Sequence, residues 1–203
     1  MFEQIPDNNV VLLLGNSLDG KKKAMYEYVR SCTKKNELLL FVTTDSSPES
    51  IKIELVKDKV FFGKNIRFID CYSQQANESV GDTEEIRRIP SPMALNEMSI
   101  ALAEIEKEFY AKSPKHKVIF NSLSTLLLYS NPQAIARFLQ VTIARIKNAG
   151  GSGIFTIEKG MHDEQVITTI THLMDGVIEF EKKEDKIEVK TKGFGSEKWE
   201  VLE

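Results

Sequence analysis

Val10-Val11-Leu12-Leu13-Leu14 is an unbroken apolar run that stops at Gly15, and the next regular apolar spacing begins beyond Gly20-Lys21-Lys22. A run without polar alternation suits a strand covered on both faces, as in a parallel sheet flanked by helices. Past Lys21, residues Ala24, Met25, Tyr28, Val29 and Cys32 recur at the spacing of one helical face. A strand, a glycine-framed turn and a helix in this order commit the chain to a layered α/β fold.

The turn Gly15-Asn16-Ser17-Leu18-Asp19-Gly20-Lys21-Lys22 has the frame of a phosphate-binding loop with one part replaced. Such a loop needs a glycine at each end, so that backbone N–H groups can face phosphate. It also needs a lysine for the terminal phosphates and a Ser or Thr hydroxyl for Mg²⁺. Gly15, Gly20 and Lys21 meet the first two needs, and Lys22 stands where the hydroxyl belongs. Lys21, Lys22 and Lys23 gather at a helix N-terminus, where the macrodipole disfavours each cation by about 0.3–1 kcal/mol unless an anion sits there. Asp19 argues for the opposite outcome, a carboxylate that caps the helix and repels phosphate. A turn that holds no ligand stays open on these residues.

The chain has 203 residues, 41% of them hydrophobic and 28% charged, enough for one domain with a substantial core. We expect a single domain over 1–203, an α/β core over 1–175 and a C-terminal β extension over 176–203. A formal net charge of −3 gives no basic field, against a nucleic-acid or anionic-membrane partner. No apolar run approaches 18 residues, and Met1-Phe2-Glu3-Gln4 has no signal-peptide character, so a cytoplasmic protein is expected. Cys32 and Cys71 lack metal-ligand spacing and read as reduced packing residues.

Further strands are predicted at Leu38–Val42, Ile66–Asp70, Lys117–Asn121 and Gly153–Ile157, the one at Lys117–Asn121 running on into a polar bend that ends at Leu126. Between them fall a helix opened by Ser46 or Ser47 with Pro48, a long one with a Leu95, Met98, Leu102, Ile105 and Phe109 stripe, one capped by Asn131 with Pro132, and one over Val166–Met174. From Ser73 to Pro92 the periodicity disappears, which predicts a long functional or mobile loop. Val177–Phe180, Ile187–Lys190 and Lys198–Leu202 predict short antiparallel strands around a turn at Lys182–Asp185. Alternation of strand and helix before Gly176 predicts a mostly parallel sheet, with ligands at the strand carboxyl ends: Gly15, Thr43 to Ser46, Asn121 and Glu158.

On these stretches the chain resembles the RecA-type ATPases and, within them, archaeal single-domain proteins similar to KaiC. The resemblance rests on the loop at Gly15 and on Phe41-Val42-Thr43-Thr44-Asp45-Ser46-Ser47-Pro48. It extends through Phe68 to Ser73, Val118 to Leu126, Phe155 to Glu164 and Met174 to Phe180. It implies a RecA-like three-layer P-loop NTPase fold with helices on both faces of the sheet. It also implies a nucleotide site at Gly15, Asn16, Ser17, Leu18, Asp19, Gly20, Lys21, Lys22 and Asn121. Three positions depart from the family pattern. Lys22 replaces a Mg²⁺-binding Thr or Ser, Asn121 replaces an Asp that holds the metal's water shell, and Asp45-Ser46 replaces a Glu-Glu that activates water. Asp45 is the remaining catalytic candidate. The resemblance thus implies a pseudo-ATPase acting as a regulatory or scaffolding module, with ATP or ADP binding without Mg²⁺ or an empty site both open, and a weak ATPase as the alternative. Lys190 and Lys192 match a stretch that reaches the neighbouring subunit's nucleotide in ring-forming relatives, or else are solvated edge-strand lysines. Self-association, or association with paralogous KaiC-like ATPases, is the expected partnership.

DNA binding finds no support: the segment Ser122–Ser130 has no basic residue and Glu158–Gln165 sets Lys159 against Glu158, Asp163 and Glu164. His116, His162 and His172 lack cysteines or paired carboxylates at ligand spacing, so they read as solvated or packing residues and no metal site is expected.

Overall fold

The computed structural model describes residues 2, 5–16, 20–77, 79–113, 115–184 and 186–202. Strand β1 (Val10–Gly15) feeds helix α1 (Lys21–Lys34), followed by β2 (Leu38–Thr43), α2 (Pro48–Lys57) and β3 (Ile66–Asp70). After α3 (Ser73–Ala76) and β4 (Ile86–Arg88) come α4 (Leu95–Lys112), β5 (His116–Asn121), α5 (Leu123–Tyr129) and α6 (Pro132–Asn148). The chain closes with β6 (Ser152–Glu158), α7 (Glu164–His172), β7 (Gly176–Lys183), β8 (Lys186–Lys192) and β9 (Glu200–Val201).

Local chemistry starts these helices where the sequence signals it. Ser47 Oγ accepts from Ser50 N at 3.2 Å ahead of Pro48, and Asn131 Oδ1 accepts from Gln133 N at 2.8 Å ahead of Pro132. Each cap satisfies a donor that the first turn leaves without an intrahelical partner.

The described strands form one sheet in the order β4-β3-β2-β5-β6-β1-β7-β8-β9. Pairing is parallel from β4 through β7 and antiparallel at β7–β8 and β8–β9, the mostly parallel sheet with an antiparallel extension that the sequence predicts. Alternation along β1 divides the core in two. Val10, Leu12 and Leu14 pack with α4, α5, α6 and α7, while Val11 and Leu13 pack with α1 and α2. Cys32 and Cys71 are free and buried, and burial pushes the Cys32 thiol up to about 12. No helix among the described residues is long and apolar enough to cross a membrane.

Four expectations are corrected. The stretch 73–92 is not one long loop: it carries α3 and the edge strand β4, in which Ile86 is buried in the core and polar contacts add a second anchor. Buried Arg88 pairs with Glu49 at 2.8 Å and lies 3.4 Å from Asp70, while Asp82 accepts from Arg88 N at 2.7 Å and pairs with Arg87 at 2.8 Å. Hydrophobic periodicity cannot register such staples. The bend after Asn121 is the helix α5, because Leu123 and Leu126 fall one turn apart and bury together. The last helix begins at Glu164 and ends at His172 rather than spanning Val166–Met174, and the last strand is confined to Glu200–Val201.

Candidate functional site

The strand order brings the carboxyl ends of β3, β2, β5, β6 and β1 side by side, so Asp70, Thr43, Asn121, Glu158 and Gly15 lie along one rim. Two regions of this rim differ in chemistry: the glycine turn over β1 and β6, and the polar ends of β2 and β5.

Both glycines of the turn have packing reasons to be glycine. A Cβ on Gly15 would lie 2.8 Å from Phe180 Cβ and 3.3 Å from Phe180 O, on the adjacent strand β7. Gly20 caps α1 with φ 79°, a left-handed conformation that other residues adopt at a cost, and a Cβ there would lie 2.5 Å from Ile187 Cδ1. Gly15→Ala is therefore expected to lower stability by about 1–3 kcal/mol, the usual cost of overpacking, when measured by urea unfolding. Stability within about 0.5 kcal/mol of the parent would show that β7 can yield. Asn16 is exposed at the end of β1. Ser17, Leu18 and Asp19, and with them the capping expected of Asp19, lie outside the described residues.

Lys21 does not extend into solvent. Only 5% exposed, its ammonium donates to Gly15 O at 3.1 Å, Ile157 O at 3.0 Å and Glu158 Oε1 at 2.5 Å. An ammonium carries three protons, and among the described residues these three acceptors surround it. Glu158 reaches Lys21 because β6 pairs beside β1 with Gly15 opposite Glu158. Lys22 turns outward to α2, where it pairs with Glu54 at 2.6 Å and lies over the Tyr26 ring at 5.8 Å.

Asn121 is bonded to its neighbours on the rim. Its Nδ2 donates to both oxygens of Asp45 at 3.0 and 3.2 Å, and its Oδ1 accepts from Thr156 Oγ1 at 2.8 Å. Ser46 Oγ donates to Asp45 Oδ1 at 3.0 Å. Asp45 reaches solvent, yet burial of its carboxyl by surrounding atoms raises its pKa above the ordinary carboxylate value. The Ser46 hydroxyl, the Lys22 charge and the Asn121 amide pull the other way without offsetting it.

This donor set does not fit Mg²⁺. The Lys22 ammonium cannot ligate a cation, Asn121 spends its amide on Asp45 and Thr156, and a hard divalent ion needs anionic oxygens. Among the described residues no group of three or more His, Cys, Asp and Glu side chains is placed to hold a metal ion. Of the histidines, His116 is buried in β5 against Phe109, while His172 is exposed.

Lys192 lies on the C-terminal hairpin, paired with Glu179 at 2.8 Å, and Lys190 sits opposite Glu179 in the β7–β8 register. Sequence reasoning named Glu158 only as a strand end and missed it as the partner of Lys21. The signal was its position on the strand that would lie beside β1. Glu54 and Thr156 carried no signal, since nothing local marks them.

The model of a family described as "Family of unknown function (DUF7504)" matches residues 9–180, from the start of β1 into β7. No curated protein matches the chain in sequence. A solved KaiC-like protein from the hyperthermophilic archaeon Pyrococcus horikoshii OT3 superimposes with a TM-score of 0.66 at 15% identity, covering 98% of this chain and 84% of that one. That likeness identifies the fold as KaiC-like and RecA-type.

Proposed function

Because the chain belongs to a family of unknown function, DUF7504, over residues 9–180, we propose from its own chemistry that it is a RecA-fold module without phosphoryl-transfer activity. It acts through protein contacts as a regulatory or scaffolding element, with copies of itself or with paralogous KaiC-like ATPases. The observation that carries this reading is the Lys21 ammonium turned onto Gly15 O, Ile157 O and Glu158. Phosphate that enters the loop must displace a carboxylate from the lysine meant to receive it. Phosphoryl transfer also relies on a metal to neutralise charge between the β and γ phosphates, and the residues at that position do not suit one. ATP or ADP therefore binds weakly and without Mg²⁺, held by the N–H groups opening α1 and by Lys21 once it leaves Glu158.

Asp45 favours the alternative reading of a weak ATPase, since a raised carboxyl pKa suits a general base. Its bonds from Asn121 and Ser46 weigh against that reading. The test is calorimetric titration with ATP and with ADP, each in Mg²⁺ and in EDTA, together with phosphate-release assays of the parent and of the Lys22→Thr/Asn121→Asp double variant. Heats that are the same in EDTA and in Mg²⁺, with no phosphate released by the parent, are expected. Steady Mg²⁺-dependent release by the parent, unchanged in the double variant, would establish an enzyme instead.

A further inference from the structure

Among the described residues cavities of similar size open on the surface: about 340 Å³ between α6 and α7, about 360 Å³ between α4 and α6, about 330 Å³ at the carboxyl ends of β2, β3 and β5, and about 340 Å³ between β4 and α4. Size does not separate them, but lining does. The third is walled by Tyr72 after β3, Gln75 on α3, Thr125 and Tyr129 on α5, and Asp45 after β2. Among its described lining residues Asp45 carries the one charge.

Three features converge there. The Asp45 carboxylate is held in place by neutral donors, Asn121 Nδ2 and Ser46 Oγ. A carboxylate offers about four lone-pair positions, so acceptor capacity remains. Among the described residues no ammonium or guanidinium is paired with it, and Lys22, whose charge it feels, is committed to Glu54 at 2.6 Å. Next, Tyr72 and Tyr129 stand 41% and 52% exposed on the walls, with no ring contact among the described aromatic residues. Finally, Gln75 spends its amide nitrogen on Cys71 O at 3.1 Å, which leaves its carbonyl oxygen to accept.

A carboxylate short of a counter-ion, two open aromatic faces and a neutral acceptor are the complement of an organic cation. An anion would meet Asp45 with no basic side chain lining the cleft, and a metal ion would find one carboxylate where it needs several oxygens. The cavity is at the small end of the range that takes small ligands, about 300–1,000 Å³. We propose that this cleft binds an alkylguanidinium or alkylammonium group, with Asp45 as counter-ion, Tyr72 and Tyr129 as aromatic walls and Gln75 as an N–H acceptor. It goes beyond the reading of the glycine turn. No residue from 15 to 22 lines this cleft and its test contains no nucleotide, so failure of the nucleotide titration and failure of this proposal are read separately.

The test is titration of the full chain with agmatine, with the capped tripeptide Gly-Arg-Gly and with the neutral isostere N-ethylurea, read by calorimetry and tyrosine fluorescence. Agmatine or the peptide is expected to bind at least about tenfold more tightly than N-ethylurea, the factor equivalent to about 1.4 kcal/mol. Asp45→Asn is expected to remove that preference, and Tyr129→Leu to weaken binding about three- to tenfold with quenching lost, both at an unchanged thermal midpoint. Tighter binding of agmatine assigns the site to a free metabolite, and tighter binding of the peptide assigns it to a basic side chain of a protein. Binding of neither cation up to about 10 mM, a range in which very weak ligands still register, or equal binding of N-ethylurea, overturns the proposal. If Asp45→Asn fails to fold, the Tyr129→Leu series and the isostere comparison decide alone.

Discussion

Glu158→Gln is expected to raise affinity for ATP in EDTA by about tenfold to a hundredfold. The carboxylate sits 2.5 Å from Lys21 Nζ in a pair whose side chains are 7% and 23% exposed. Phosphate entering the turn competes with that charge, and a charge-assisted hydrogen bond contributes about 1.5–3 kcal/mol. The amide keeps an acceptor for Lys21 but no longer competes as an anion. The same change costs the nucleotide-free protein about 1–3 kcal/mol, less than outright loss of a buried partner because the amide oxygen and two carbonyls remain. Its thermal midpoint then falls by about 2–4 °C per kcal/mol for a chain of this length, and saturating ATP recovers part of the loss by mass action. A lower midpoint with unchanged affinity would mean that the pair is purely structural and that the turn is closed by something else.

Phe155→Ala is expected to be the most destabilising single truncation in the sheet. Phe155 is fully buried in β6, stacks on Phe120 of β5 with ring centroids 5.3 Å apart and planes 9° apart, and Phe120 in turn meets Phe138 of α6 edge-on at 6.1 Å. Truncation removes the stack and leaves a cavity between two central strands and a helix, a loss of about 3–5 kcal/mol. Urea unfolding should report that loss, and the thermal midpoint should fall by about 6–20 °C. Phe155→Leu should recover more than half of it by refilling the volume. A loss below about 1 kcal/mol would mean that the helices collapse onto the gap, and that this side of the sheet is less tightly packed than the ring geometry indicates.

Much of the architecture was legible because its causes are local. The apolar runs at Val10–Leu14 and Leu38–Val42, the Ser47-Pro48 and Asn131-Pro132 caps, and the glycine turn at Gly15–Gly20 each act within a few residues. The layered, mostly parallel α/β fold follows from their alternation. Elements stabilised by distant polar groups stayed hidden. β4 is three residues long with a single core residue, Ile86, and it is anchored further by Arg88 meeting Asp70 and Glu49, which no window of sequence contains together.

The candidate site divides the same way. Residue types at Gly15, Gly20, Lys21, Lys22, Asp45 and Asn121 were readable from spacing and resemblance, but their partners were not. Lys21 meets Glu158 across 137 positions because β6 lies between β5 and β1, and Asn121 meets Asp45 across 76 because β5 lies beside β2. Lys22 pairs with Glu54 because α1 and α2 pack on one face of the sheet. The sequence by itself determined which chemical groups reach the carboxyl rim of the sheet, since strand and helix periods act over a few residues. Only the tertiary structure decided which of those groups neutralise one another, because strand order is set by the packing of the whole core.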